Sequence, residues 1–294
     1  MSHSPADAPS FDLQAHSTYS DGELSPAQTV RAAAAAGVEL FALTDHDSVD
    51  GVAEAAEMAR HVGIRLVPAV EISALDRVCH DLHIAGYLID PDDAALGAQL
   101  ERSRGDRALR SERMIEALKR GGWAVDHGPL DARQAAGAAL GRPHLAQAVL
   151  SHPDNTERLA QEQLTNPSSF LEAYLIDGKP AYVERGAPPV ANVLDVIHGA
   201  GGVAVWAHPF WDVDSDAEVV AAIERFAEMG LDGVEVFYLT HTRAQVDLLA
   251  QCCAELGLIT TGSADFHGPS HRIFNRFRAF KTYGHVANLG PIAG

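Results

Sequence analysis

Short apolar runs recur along this 294-residue chain, and most of them end in a histidine or a carboxylate. Residues 11–15 run on to His16 and Asp21, residues 41–44 to Asp45, His46 and Asp47, and residues 67–70 to Glu71. His83 heads the run 84–88, residues 203–207 end in His208, and residues 259–264 end in Asp265 and His267. Short, bounded runs of this kind predict buried strands. Helix-favouring stretches closed by glycine precede several of them: 26–36 with Gly37, 52–62 with Gly63, and 191–202, 217–230 and 242–257 before later strands. Helix, glycine and strand in repetition predict a parallel sheet wound with helices. Seven strands can be placed, which favours a barrel over an open sheet. A parallel barrel gathers the C-terminal ends of its strands at one rim, so polar groups distant in sequence would meet there.

Residues 90–185 break this rhythm, with no strand-like run of comparable strength. Residues 96–120 are charged and helical in period, with Leu109, Met114, Ile115 and Leu118 as the apolar side, and further helices fit 143–150 and 168–175. The expected organisation is an α/β barrel over 11–89 and 186–294, an inserted helical cap over 90–185, and a disordered tail over 1–10. Arg104, Arg107, Arg110 and Arg113 lie beside Asp106, Glu112 and Glu116, and predict a solvated, ion-paired helix face.

Composition narrows the function. With 22 basic against 40 acidic residues the formal net charge is −18, which argues against a long nucleic-acid footprint. A small phosphorylated ligand remains compatible, because two or three bound divalent cations place about four to six positive charges in one cleft. No run reaches the roughly 18 apolar residues of a membrane span, and the N-terminus lacks the regions of a signal peptide, so a cytoplasmic protein is expected. Cys79, Cys252 and Cys253 form no metal-binding spacing and are expected to fill core.

Imidazole and carboxylate together are the ligands of hydrolytic divalent-metal sites. The segment from Asp12 to Gly22, Thr44 to Asp47 and Gly262 to His267, with Glu71, His83 and His208 between them, resembles the polymerase and histidinol phosphatase (PHP) family of metal-dependent phosphoesterases. The resemblance runs from Phe11 to about Gly268. It implies a distorted (β/α)7 TIM-like barrel holding two or three divalent ions (Mn, Fe, Zn or Mg, with Mn favoured). Carried over by position, Gln14, His16, Glu71 and Asp265 would hold one ion, Glu71, His83 and His208 a second, and Asp21, His46 and His267 a third. Gln14 departs from the family, which usually has His there. A glutamine carbonyl is a weaker and harder ligand than imidazole, so that site would be loose, empty at low metal concentration, or biased toward Mn or Mg.

The insertion resembles the cap of the stand-alone branch acting on nucleoside 3',5'-bisphosphates or on short RNA ends. There Arg142 would clamp a phosphate and Lys179 would add an anion contact. His144 would complete the phosphate pocket or protonate the leaving oxygen. Glu71, Asp265 and His144 are thus the catalytic candidates, and His241, at another strand end, would line the pocket or lie at the surface. Asp45 and Asp47 would orient imidazoles or cap the next helix. The resemblance implies in-line attack by a metal-bridging hydroxide on a phosphomonoester, giving a 5'-nucleotide from a 3',5'-bisphosphate. Histidinol phosphate hydrolysis and 5'-3' exoribonuclease action on short RNA are the enzymatic alternatives. A weakly catalytic nucleotide- or metal-binding protein is the alternative from another class. The pattern identifies no protein partner.

Overall fold

The computed structural model describes residues 9–76, 82–135, 140–184, 186–211 and 213–294. Cys79 and most of the N-terminal tail lie outside them. Two compact units emerge, one from the described residues up to Glu101 together with Pro188–Gly294, the other Arg102–Ala187.

The first unit is a seven-stranded barrel. Its strands are β1 (Phe11–Asp12), β2 (Leu40–Leu43), β3 (Arg65–Ala74), β4 (Leu82–Tyr87), β5 (Val203–Trp206), β6 (Gly233–Tyr238) and β7 (Ile259–Ser263), paired in sequence order. The Leu13 amide donates to the Gly262 carbonyl at 3.2 Å, and the His16 amide to that of Phe266 at 2.8 Å, so the last strand returns to the first. Helices α1 (Pro26–Ala35) and α2 (Val52–Val62) link the early strands. In the second unit and its approach lie α3 (Ala94–Arg120), α4 (His127–Ala135), α5 (Arg142–Leu150), α6 (Thr156–Gln161) and α7 (Pro167–Phe170), which continues as a π turn over Leu171–Leu175. The barrel resumes with α8 (Val190–Gly199), α9 (Asp216–Glu228) and α10 (Arg243–Leu256).

Local chemistry accounts for the helix ends. Ser25 and Thr242 cap α1 and α10 through reciprocal bonds with Gln28 and Gln245, and Gly63 and Gly257 end α2 and α10 in the left-handed conformation. Leu13, Ala42, Val67, Ala69, Ala85, Tyr87 and Val205 pack together inside the barrel. A larger core, with Ile84, Trp206, Ile223, Phe226 and Leu249, lies between sheet and helices. Cys252 and Cys253 are buried on α10, and burial pushes the Cys253 thiol up to about 12, so both behave as small apolar groups.

Several expectations are corrected. The sheet is not all parallel, because β4 runs antiparallel to both β3 and β5. Ala74 and Leu82 are too close in sequence for the crossover a parallel pair needs. Leu109 is 45% exposed, whereas Met114, Ile115 and Leu118 enter the core of the second unit. Nine residues make about two and a half helical turns, which set Leu109 opposite Leu118. Arg110 is no solvated charge: it is 8% exposed, donates to the Val183 carbonyl at 2.8 Å, and lies over the Tyr182 ring. The basic C-terminal segment packs on the barrel, with Arg278 donating through Nε to the Pro9 carbonyl and through its amide to Asp12. Among the described residues, no helix is long and apolar enough to cross a membrane.

Candidate metal centre

Strand alternation delivers the central carboxylate. Val67 and Ala69 of β3 face the barrel interior with Ala85 and Tyr87 of β4, so Glu71 and His83 share that face. The antiparallel register sets Glu71 opposite Ala85 and Ser73 opposite His83. The diagonal brings His83 Nδ1 to 3.1 Å from Glu71 Oε1. The loop after β2 docks on the same strand, with the Asp47 amide donating to the Glu71 carbonyl at 2.8 Å. Gly22 turns the loop after β1 so closely over the His16 carbonyl that a Cβ would collide with it.

Eight side chains meet around Glu71, which is fully buried. His46 Nδ1 and His16 Nε2 stand 3.0 and 3.2 Å from its Oε2, and His208 Nε2 stands 3.0 Å from its Oε1. Gln14 Nε2 donates to Glu71 Oε1 at 3.1 Å and to Asp265 Oδ1 at 3.3 Å. Asp265 Oδ1 is also 3.0 Å from His16 Nε2. Asp21 stands 3.5 Å from His267 Nε2 and 3.7 Å from both His16 and His46. Asp47, His208 and Asp265 take φ values of 52°, 33° and 52°, so three strand ends carry left-handed, non-glycine residues beside the cluster.

This arrangement is unsatisfied as it stands. Gln14 Oε1 is buried without a hydrogen bond, and the buried His16 Nε2, His46 Nδ1 and Glu71 Oε2 crowd together at 3.0 to 3.2 Å without well-aligned hydrogen bonds. Such groups cost free energy unless something else engages them. The donor atoms of His16, Asp21, His46 and His267 lie within 4.8 Å of one another, and so do those of His46, Glu71 and His83. The first group adds His16 to the Asp21, His46 and His267 set that family position implies, and the second joins Glu71 and His83 through the shared His46. Nitrogen and carboxylate donors at this spacing fit divalent cations.

Electrostatics agree with that fit. Burial opposes charge on His16 and His208, but Asp265 and Glu71 outweigh it for the first and Glu71 for the second. The pKa of His16 is thereby held well above its ordinary value, and that of His208 rises to about 9. Burial alone would raise Glu71, yet His46 and His83 hold it well below the carboxylate range. Asp265 is likewise depressed, its burial outweighed by His267 and His16. Burial takes His46 down to about 4.

A supporting layer fixes the rings. Asp45 accepts from the Ser17 amide at 2.7 Å, Ser17 Oγ at 2.6 Å and Ser20 Oγ at 2.6 Å. Ser20 Oγ thus accepts from His16 Nδ1 at 3.3 Å, which leaves Nε2 as the coordinating nitrogen. His267 donates through Nδ1 to the Asp265 carbonyl at 2.7 Å. Asp47 holds Ser73 through its amide and hydroxyl. Neither Asp45 nor Asp47 caps α2, whose N-cap is Gly51 with no side-chain hydrogen bond. Asp12 accepts the Ala264 and Arg278 amides and is structural.

His241 is 4% exposed, donates through Nδ1 to the Val236 carbonyl at 2.9 Å, and packs against Phe210 and Tyr238. Arg142, His144 and Lys179 belong to the second unit. His144 Nδ1 accepts the Gly141 amide at 2.9 Å as α5 begins, so its proton sits on Nε2. Lys179 is exposed.

Tyr238 and Glu235 were missed by the sequence reading. The Tyr238 hydroxyl donates to Asp265 Oδ2 at 2.7 Å, and Glu235 accepts from the His208 amide at 2.9 Å and Ser263 Oγ at 2.5 Å. A register shift between Glu235 and Phe237 reverses the alternation and turns Tyr238 toward the site. Glu235, the one charge inside an apolar strand, was the available signal.

Fold and donor set together define a barrel enzyme built around divalent cations. The PHP domain family matches residues 12–125. A 5'-3' exoribonuclease of Haemophilus influenzae is 31% identical over 259 residues, covering 88% of this chain and 90% of that protein. A 3',5'-nucleoside bisphosphate phosphatase of Chromobacterium violaceum is 31% identical over 285 residues, covering 96% and 93% respectively. The solved structure of a protein described as a metal-dependent phosphoesterase of Bifidobacterium adolescentis superposes with a TM-score of 0.80 at 25% identity, over 98% of this chain and 96% of that one. The chain belongs to the PHP family of metal-dependent phosphoesterases.

Proposed function

We propose that this phosphoesterase removes the 3'-phosphate of nucleoside 3',5'-bisphosphates and leaves a 5'-nucleotide. The observation that carries the reading is the convergence of Gln14, His16, Asp21, His46, His83, His208, Asp265 and His267 around Glu71, in a chain similar over 96% of its length to a 3',5'-nucleoside bisphosphate phosphatase. These side chains would hold two or three cations, and the oxygen donors of Gln14, Asp21, Glu71 and Asp265 favour Mn²⁺ over Zn²⁺. Divalent cations at such a site supply Lewis acidity toward phosphoryl oxygens and water. The chain's own residues would bind and move protons: Arg142 presents a fork to phosphate, Lys179 adds charge, and His144 Nε2–H donates to the leaving oxygen. A net charge of −18 suits a small ligand bound at a cationic centre better than a long nucleic acid. The buried, unbridged thiols of Cys252 and Cys253 suit a reducing cytoplasm.

The test is phosphate release from adenosine 3',5'-bisphosphate by Mn²⁺-loaded protein, beside an Asp265→Asn control. Release of 5'-AMP, lost in the control, is expected, with Arg142→Ala raising KM. Absence of release from metal-loaded protein would overturn the reading. Similarity to a 5'-3' exoribonuclease over 88% of the chain favours one second reading, stepwise trimming of short RNA. End-labelled oligoribonucleotides of increasing length separate the two.

A further inference from the structure

The chain's three tryptophans are placed very differently. Trp123 and Trp206 are 2% exposed, whereas Trp211 is 49% exposed. An indole in water forgoes the burial that usually places aromatic rings inside a protein. Yet the backbone of Trp211 is held in place. It stands three residues after His208, at the end of a turn through Pro209, and its amide donates to the His208 carbonyl at 2.8 Å.

The ring partners of Trp211 lead straight to the metal centre. Its indole lies 5.5 Å from the Phe274 ring and 6.4 Å from the Tyr238 ring, centroid to centroid. Phe274 and Tyr238 are buried. Phe274 lies 5.4 Å from the His267 imidazole, and Tyr238 lies 5.3 Å from that of His208 while bonding to Asp265. An aromatic arc therefore runs from His267 through Phe274, Trp211 and Tyr238 to His208, and Trp211 is its exposed member. Packing on two buried rings holds one side of the indole while the rest meets solvent.

We propose that Trp211 is the stacking platform for the nucleobase of the substrate, an inference that rests on the nucleotide reading above. A cation centre for phosphate with an exposed aromatic ring beside it matches the two ends of a nucleotide, whose charge and π-face lie at opposite ends of a sugar. Stacking discriminates little among bases, because each offers a π-face. The site is therefore selective for the presence of a base and tolerant of its identity. Purines, with more face to cover, bind better than pyrimidines.

The experiment compares Trp211→Ala and Trp211→Phe with the unaltered, Mn²⁺-loaded protein on adenosine 3',5'-bisphosphate and on its abasic analogue, 1-deoxyribose 3,5-bisphosphate, which keeps the scissile 3-phosphate and has no base. Trp211→Ala is expected to raise KM for the adenosine bisphosphate about tenfold with little change in kcat. The ratio of kcat/KM for the adenosine bisphosphate to that for the abasic analogue should fall by a similar factor, and Trp211→Phe should restore most of it. Unchanged KM, or an equal loss on both substrates, overturns the platform while leaving the phosphatase reading intact. Titration of the unaltered protein with 5'-AMP, followed by tryptophan fluorescence, decides the point even if no nucleotide is hydrolysed. Saturable quenching is expected from the one exposed indole, and its absence overturns the proposal.

Discussion

The Tyr238 hydroxyl donates to Asp265 Oδ2 at 2.7 Å, so the other oxygen, Oδ1, is the one that faces His16 and Gln14. Burial pushes the Tyr238 phenol well above its ordinary pKa, and the Asp265 and Glu235 charges add to this, so it stays a donor at any working pH. Groups that orient metal ligands in this way affect affinity without touching the metal. Tyr238→Phe keeps the ring packing against Phe274 and removes only the bond. Mn²⁺ affinity, followed by titration calorimetry, should weaken by about tenfold to a hundredfold. A variant that binds Mn²⁺ as tightly as the parent would show that Asp265 needs no such support.

Gln14 joins Glu71 to Asp265 through one amide nitrogen, while its carbonyl oxygen is buried without a hydrogen bond. That oxygen is a hard donor at a position where the family resemblance implies imidazole. Gln14→His should therefore shift preference toward Zn²⁺ relative to Mn²⁺, read by competition between the two ions for the purified protein. An unchanged ratio would mean that Gln14 contributes spacing and neutralisation of the two carboxylates rather than a ligand.

Proton release should accompany metal uptake. Although burial opposes it, His16 is held well above its ordinary pKa by Asp265 and Glu71, and His208 at about 9 by Glu71, so both carry protons at neutral pH before metal binds. A raised folded-state value stabilises the metal-free fold fully below the ordinary 6.5, and that stability is lost as pH rises through about 9. Metal must displace these protons. Mn²⁺ affinity should rise between pH 7 and 9, by about tenfold per unit for each proton displaced, with acidification of a weakly buffered sample on mixing. Affinity independent of pH across that range would contradict the assignment of His208 as a ligand.

The ends of the strands were legible because a barrel needs its polar groups there, and an apolar run that stops at His16, His46, His208 or Asp265 marks the place. The direction of β4 was not legible, since helix and glycine punctuation predicts a parallel sheet and only the short link from Ala74 to Leu82 speaks against it. Tyr238 stayed hidden for a different reason. Strict alternation from Glu235 points it away from the interior, and the register shift that reverses this leaves no mark in composition. Arg110 shows the same limit in the second unit: its neighbours in sequence are charged, but its partners, Val183 and Tyr182, are distant along the chain.

His241 gives the barrel an acid-labile point of its own. Its Nδ1–H is committed to the Val236 carbonyl, its Nε2 is buried without a hydrogen bond, and burial takes its pKa down to about 4. The unfolded chain takes up a proton near the ordinary 6.5, so between about 6.5 and 4 it binds more protons here than the fold does. The stability contributed by His241 is therefore complete above 6.5 and declines as pH falls through that window, by up to about 3 kcal/mol at 1.36 kcal/mol per unit. In His241→Asn the amide nitrogen can still donate to Val236, but nothing titrates. Urea unfolding at pH 7 and pH 4.5 should show a smaller acid loss in the variant than in the parent, even though removal of the ring lowers its stability at both. Equal acid losses in the two proteins would mean that the imidazole is already solvated in the fold and that the acid sensitivity belongs to the cluster around Glu71.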